Sequence, residues 1–549
     1  MLFMATFWTT VIVTLYGTVV AQTDPLEVEI ENGWVRGKKI TPNFYSWQGI
    51  PYAKPPLGNL RFEPPQKPDN WSGTWDASYD RSECVQTTSD SLASVIVPTG
   101  NEDCLYVNVY TPKPPNTVQT PLPVMIWVYG GAFFQGNSSY ELYGPDKLVS
   151  QNVIFVSFNY RVGIFGFITT GNDAAPGNTG LRDQILALKW VQHNIAAFGG
   201  DPHNVTVFGQ SAGSVSVSNL LLSPLTQGLF HRVILESGTA LCDWGGSTTH
   251  GKEAAFKTGA LLGILTSDSY DLIKRLKQVP ADRLQRKASI TMAVNFATRQ
   301  IHGLLTYLPV IEHKHKDAVV TGSYFSHLQR GDFPKIPVMI GYNSIEVLYF
   351  KIIFDLLGPL LGIYDLVPAD LVPSSMRANA SDVIRIGAEI KNFYAGRFGS
   401  LIGSHWKKLQ KYANDDKFIR PIQQTARLLA LHTQTYLYLF SYHDSTTEGA
   451  VHGDELNYLF NSNRKSNSDK FITECITKLW TNFAKYSNPT PHNVTQCGNI
   501  TWKPVASGEN LDYLSIDSNI TTSTNPNKKE MDFWDKLFKK YGNMPFNTY

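Results

Sequence analysis

Short runs in which every position is apolar recur along the chain, separated by stretches of helical or turn pattern. Val124–Val128, Val153–Ser157, Val205–Phe208, Val233–Leu235 and Val338–Ile340 are β-rich and hydrophobic on both faces, as central strands of a covered parallel sheet are. Tyr436–Phe440 and Leu511–Leu514 are later candidates. Between these runs, Leu181–Phe198 sets Ile185, Leu188, Val191 and Ile195 on one stripe, and Ala212–Leu222 opens directly after a strand. Strand alternating with helix predicts an α/β fold: a large, mixed, mostly parallel sheet with helices on both faces. The stretch Gly251–Asp332 reads as helical and irregular, either a cap over a site or an insertion into the sheet. A length of 549 residues exceeds a usual domain, but large α/β sheets absorb long insertions, so residues 22–549 are expected to form one unit.

The first residues break this pattern. Met1–Val20 is apolar apart from Thr, Tyr16 and Gly17, and ends in Val19-Val20-Ala21, which suits signal-peptide cleavage after Ala21. No Lys or Arg precedes the apolar run, so a retained anchor is the alternative. Secretion agrees with Asn-X-Ser/Thr acceptors at Asn70, Asn137, Asn379, Asn493, Asn499 and Asn519. Asn204 also fits the acceptor pattern, but it opens a strand run and is expected to stay bare. A formal net charge of +2 gives no footprint for nucleic acid or an anionic membrane. The 5 cysteines form no CxxC or Cys/His cluster with metal-ligand spacing, so no metal is expected.

Candidate chemistry gathers where strands end. Gly209-Gln210-Ser211-Ala212-Gly213 joins the Val205–Phe208 run to the Ala212–Leu222 helix pattern. A G-x-S-x-G sequence alone describes many glycine-rich turns. Between a strand and a helix it has the setting of a nucleophile elbow, which exposes the serine at a helix N-terminus. Such a serine needs a base, and the base needs a carboxylate to orient it. Of the 13 histidines, residue type alone leaves His452, His443 and His432 open.

Five ordered blocks narrow the choice. Glu102-Asp103-Cys104-Leu105-Tyr106-Val107-Asn108 resembles an EDCLYLN signature, and Asn159-Tyr160-Arg161, Gly180-Leu181-Arg182-Asp183-Gln184 and Phe198-Gly199-Gly200-Asp201-Pro202 follow in order with the Ser211 motif. On these blocks the chain resembles the type-B carboxylesterase and cholinesterase-like family of α/β-hydrolases over nearly all of its mature length. The resemblance implies His452 as the base, in Gly449-Ala450-Val451-His452-Gly453-Asp454-Glu455-Leu456, and Glu346 as the acid. The resulting order Ser211, Glu346, His452 is that of α/β-hydrolases. It also implies an oxyanion hole from the backbone N–H groups of Gly131, Ala132 and Ala212, with Ala132 standing where many relatives have a third glycine. The family pairs Cys84 with Cys104 and can leave a cysteine at the position of Cys242 unpaired, which leaves Cys475 and Cys497 to pair. Arg61 with Glu102 and Arg161 with Asp183 match ion pairs that relatives bury. No cofactor is implied, and the partner is a small-molecule ester.

Departures from the family refine the substrate. Choline-ester enzymes carry a tryptophan platform inside the first disulfide loop, whereas no aromatic residue lies between Val85 and Asp103. The glutamate usual before the nucleophile is the neutral Gln210, a form typical of insect juvenile hormone esterases. Two attractions for a quaternary ammonium are therefore missing. Phe133, Gln210 and Trp244 are expected to line an apolar substrate pocket. The expectation is a secreted serine carboxylesterase for neutral esters, working through an acyl-enzyme on Ser211. The alternatives are a specialised juvenile hormone, pheromone or odorant esterase, and a non-catalytic adhesion protein of the same fold.

Overall fold

The computed structural model describes residues 26–88, 96–246, 250–299, 305–347, 361–402, 406–443, 447–461, 470–491, 497, 500–506, 508 and 510–549. The signal segment and the acceptors Asn493 and Asn499 lie outside the described residues. The strands are β1 (Glu27–Ile30), β2 (Gly33–Arg36), β3 (Lys38–Thr41), β4 (Phe44–Pro51), β5 (Thr74–Asp76), β6 (Tyr106–Thr111) and β7 (Leu122–Val128). They continue with β8 (Ile154–Phe158), β9 (Gly200–Gln210), β10 (Arg232–Glu236), β11 (Val338–Asn343), β12 (Thr435–Phe440), β13 (Asp512–Ile516) and β14 (Ile520–Thr524).

An 11-stranded sheet has the order β14-β13-β12-β11-β10-β9-β7-β8-β6-β4-β3, while β1, β2 and β5 form a small separate sheet. Every pairing from β8 to β13 is parallel, and the pairings outside that block are antiparallel. The parallel block consists of the apolar runs seen in the sequence. Strands β7, β8, β10, β11 and β12 are buried along almost their whole length, as is the second half of β9, because helices cover a parallel sheet and leave no wet face. Helix α1 (Thr179–Asn194) packs on β9, α2 (Ala212–Leu222) on β9 and β10, and α3 (Lys470–Tyr486) on β7 and β9. The middle stretch contributes the helices Gly251–Leu261, Ser269–Leu276, Ala281–Arg299 and Tyr324–Arg330, and adds no strand among its described residues.

Both expected ion pairs form. Arg61 donates to the two oxygens of Glu102 at 2.6 and 2.5 Å, and Arg161 to those of Asp183 at 2.8 and 2.6 Å. The bidentate geometry suits a guanidinium and matters because both pairs are withdrawn from water. Among the acceptor asparagines, Asn70, Asn379 and Asn519 are exposed. Asn137 is half-buried, with its Nδ2 donating to Glu83 at 3.0 Å. Asn204 sits within β9 and accepts from Arg232 at 2.6 Å.

Disulfides close Cys84 to Cys104 and Cys475 to Cys497, and Cys242 is a buried free thiol. Burial pushes the Cys242 thiol up to about 12, so almost none of it is the reactive thiolate at neutral pH. Native protein should therefore be silent toward a thiol reagent, and denaturation without reductant should release one reactive group per chain. Labelling of the native protein would show that the Cys242 site opens.

Candidate active site

Ser211 follows the last residue of β9 and precedes the first of α2, at φ 59° and ψ −127°. An L-residue pays on the order of 1–3 kcal/mol for such a backbone. The turn is pinned on both sides: the Ser211 N–H donates to the Glu236 carbonyl at 2.8 Å, and the Val215 N–H to the Ser211 carbonyl at 2.9 Å. Its tightness explains the flanking glycine, because a Cβ on Gly213 would fall 2.0 Å from the Val128 carbonyl oxygen. Ser211 is half-buried, with α2 opening directly behind it. The N–H of Ala212, first in that helix, has no partner within the helix.

The loop after β7 approaches from the other side. Ala132 and Phe133 take positive φ values of 55° and 62°, a conformation that glycine adopts without the Cβ penalty. Gln86 grips this loop from the Cys84–Cys104 segment, accepting from the Gly136 N–H at 2.7 Å and donating to its carbonyl at 3.0 Å. Tyr129 and Tyr160 stack at 4.4 Å, and each hydroxyl donates to the other's carbonyl. Among the described residues, no hydrogen-bond acceptor faces the N–H of Gly131 or Ala132.

His452 and Glu346 meet as the resemblance implies. The Nδ1 of His452 lies 2.5 Å from the Oε2 of Glu346, and both residues are buried. The other carboxylate oxygen of Glu346 accepts from the Asn343 N–H at 2.6 Å. Two loops are stitched together around this contact. The Ile345 N–H donates to the Ala450 carbonyl at 2.9 Å, the Ala450 N–H to Ser344 Oγ at 3.0 Å, and Asn343 Nδ2 to the Val451 carbonyl at 2.7 Å. Asn414 accepts from the Glu346 N–H at 2.7 Å. With Nδ1–H given to a carboxylate, Nε2 carries the lone pair, the tautomer a base requires.

The expected pocket residues separate into three settings. Gln210 is buried beside His452, its Nε2 3.2 Å from the His452 Nε2. Trp244 packs at a tilt on Phe418 at 5.1 Å, and Phe418 in turn meets the His452 ring edge-on at 5.2 Å. Phe133 is fully buried against Phe167 at 5.1 Å. Phe418 was not legible in the sequence. It rides on a π-helical turn, Asp415–Ile419, in which Lys417 pairs with Asp243 and Asp416, and Trp244 donates to the Lys417 carbonyl at 2.8 Å. The run Asn-Asp-Asp-Lys looks like solvent-facing loop, and nothing in its spacing announces a π turn. Among the described residues, no cluster of side chains could hold a metal ion.

This arrangement has close counterparts. The carboxylesterase family model matches residues 24–534. The chain belongs to the carboxylesterase family. It is a carboxylic ester hydrolase with an α/β-hydrolase fold. It is 34% identical to juvenile hormone esterase of Tribolium castaneum over 86% of this chain and 83% of the relative. It is 33% identical to esterase FE4 of Myzus persicae over 86% and 84%. Venom carboxylesterase-6 of Apis mellifera is 31% identical over 94% and 93%. The crystal structure of juvenile hormone esterase from Manduca sexta, with OTFP covalently attached, superposes with a TM-score of 0.81 at 28% identity, covering 94% of this chain and 99% of that one.

Asn414 is the anchor of the acid loop that touches no reacting group. Replacing it with alanine removes two hydrogen bonds, from the Glu346 N–H at 2.7 Å and to the Ser344 carbonyl at 3.3 Å, each worth about 1 kcal/mol, and frees Glu346 to drift from His452. An Asn414→Ala enzyme should keep its secondary structure and lose roughly tenfold in kcat/KM, about 1.4 kcal/mol of transition-state stabilisation. Unchanged kinetics would show that Glu346 is held without it.

Proposed function

We propose that this esterase hydrolyses neutral carboxylic esters through an acyl-enzyme on Ser211, with His452 as general base, Glu346 as its orienting acid, and Gly131, Ala132 and Ala212 as oxyanion donors. The observation that carries this reading is the 2.5 Å contact of His452 Nδ1 with Glu346 beside the strained Ser211 turn. In the proposed cycle, Nε2 takes the Ser211 hydroxyl proton as Oγ adds to the ester carbonyl, then delivers it to the departing alkoxide. Water repeats the sequence on the acyl-enzyme and releases the acid. Glu346 orients the imidazole and stabilises the imidazolium. The oxyanion meets backbone dipoles fixed in advance, each worth roughly 3–4 kcal/mol when removed.

A neutral substrate follows from Gln210, which brings no charge to the buried ground beside the base, and from the absence of an aromatic residue between Val85 and Asp103. The similarity to two juvenile hormone esterases favours a narrower reading, an apolar ester of the juvenile hormone class. Secretion is supported by the apolar N-terminal run and by two disulfides, which persist in oxidising surroundings.

Ser211→Ala should fold and lose at least about four orders of magnitude in ester turnover, and an organophosphate should label the parent enzyme once per chain and the variant not at all. A variant of full activity would reject Ser211 as nucleophile. Paired substrates test the charge argument. An uncharged ester should exceed the choline ester of the same acid in kcat/KM, and the reverse order would reveal a cation site elsewhere.

A further inference from the structure

Behind the His452–Glu346 contact lies a second acidic cluster that the ester-hydrolysis cycle does not use. Parallel pairing sets Glu236 of β10 opposite Gly341 of β11, and Gly341 opposite Tyr438 of β12. The glycine leaves a gap in that row, and the Tyr438 ring fills it: a Cβ on Gly341 would stand 2.3 Å from the ring. Trp480 packs on Tyr438 at 5.1 Å and donates its indole N–H to Glu236 Oε1 at 2.6 Å. Glu455, from the loop that carries His452, is fully buried and accepts on Oε2 from the Asn343 side chain.

Each carboxyl has one oxygen satisfied and one bare. Glu236 Oε2, Glu455 Oε1 and the Tyr438 hydroxyl all lack a hydrogen-bond partner. Among the described residues, neither acid pairs with a lysine or arginine. The titratable groups facing Glu455 are Glu236, Glu346 and Tyr438, and those facing Tyr438 are Glu236, Glu455 and Glu346. Two buried carboxylates without a cation cannot both ionise cheaply, because each pays desolvation and their like charges repel. One proton between the bare oxygens removes one charge and satisfies both atoms.

We propose that Glu236 and Glu455 share a single proton across these bare oxygens, and that the resulting monoanionic pair acts on His452 through Asn343 as a positioning element for the base. Burial raises both acids above the ordinary carboxylate range, in agreement with proton retention at neutral pH. Asn343 makes the connection. Its side chain donates to Glu455 and to the Val451 carbonyl next to His452, while its backbone N–H donates to Glu346. The one negative charge left on the pair favours the imidazolium that forms during turnover.

The proposal rests on His452 being the base, and the experiment separates the two. Glu236→Gln, Glu455→Gln and the double variant of the full chain are compared by the pH dependence of kcat/KM on an uncharged p-nitrophenyl ester. Either single amide mimics the protonated partner and keeps one negative charge, so its ionisation should stay within about 0.3 pH unit of the parent. The double variant loses that charge, and its ionisation should fall by about half a pH unit or more. Parent-minus-variant infrared spectra at neutral pH should show one carboxylic-acid carbonyl band for each single change. A single variant shifted as far as the double one, or a double variant not shifted at all, would overturn the proposal. If a variant does not fold, the parent alone decides: absence of any carboxylic-acid band at neutral pH overturns it. A flat pH–rate profile in the parent would instead reject His452 as the base, leaving the infrared result to judge the shared proton.

Discussion

Ser211 occupies a backbone conformation that its Cβ disfavours, and much of the surrounding structure exists to hold it there. The residue lies at the crossing of three elements: it follows β9, precedes α2, and hangs by its N–H from the last carbonyl of β10. A strand that turned more gently would lay the serine along the sheet, with the hydroxyl among apolar neighbours. The sharp turn lifts it to the helix N-terminus, where the N–H of Ala212 and the helix dipole favour negative charge. Such a turn costs energy that only a rigid frame can supply. Here the frame is a parallel sheet buried on both sides, with α2 packed on β9 and β10.

Glu346 and His452 come from loops distant in sequence, and their alignment depends on hydrogen bonds between those loops. Ile345 and Val451 form a parallel bridge that extends the β11–β12 pairing beyond the sheet. Glu346 and His452 each follow that bridge directly, so the two side chains emerge from the same end of the sheet. Long side chains lose rotamer freedom when ordered. A carboxylate held by the Asn343 N–H, on a backbone pinned by Asn414, has lost part of it beforehand, which leaves less to reorganise during a reaction.

How far the sequence revealed this fold depended on how each strand meets solvent. Strands of the parallel block announce themselves as unbroken apolar runs because both faces are covered. The antiparallel strands escaped for the opposite reason. β3 is Lys-Lys-Ile-Thr and β14 is Ile-Thr-Thr-Ser-Thr, edge strands with mostly solvated positions, and β4 is buried but interrupted by Ser46, Gln48 and Gly49. Motif resemblance supplied Glu346 and His452, which now stand in contact, whereas residue type alone left three histidines open. The supporting shell stayed hidden. Asn343, Asn414, Phe418 and Glu236 matter through whom they touch, and touching residues remote in the chain leaves no local period to read.

The buried charges near the site differ in a way that sorts their roles. Arg61–Glu102 and Arg161–Asp183 are complete bidentate pairs with opposite charges, and their geometry serves to lock segments far apart in the chain. Lys417, with Asp243 and Asp416, anchors the π turn that sets Phe418 against His452. Glu236, Glu346 and Glu455 are of a different kind, acids that meet one another with only one imidazole among them. A structural core would replace such a group with apolar side chains of similar volume at no loss of stability. On the proposed cycle, three carboxyls gathered behind His452 would stabilise the positive charge that appears there and vanishes again within each turnover. The neutral Gln210 at the other ring nitrogen completes this division: carboxyl groups stand on the Nδ1 side of His452, and Gln210 brings no charge to the Nε2 side.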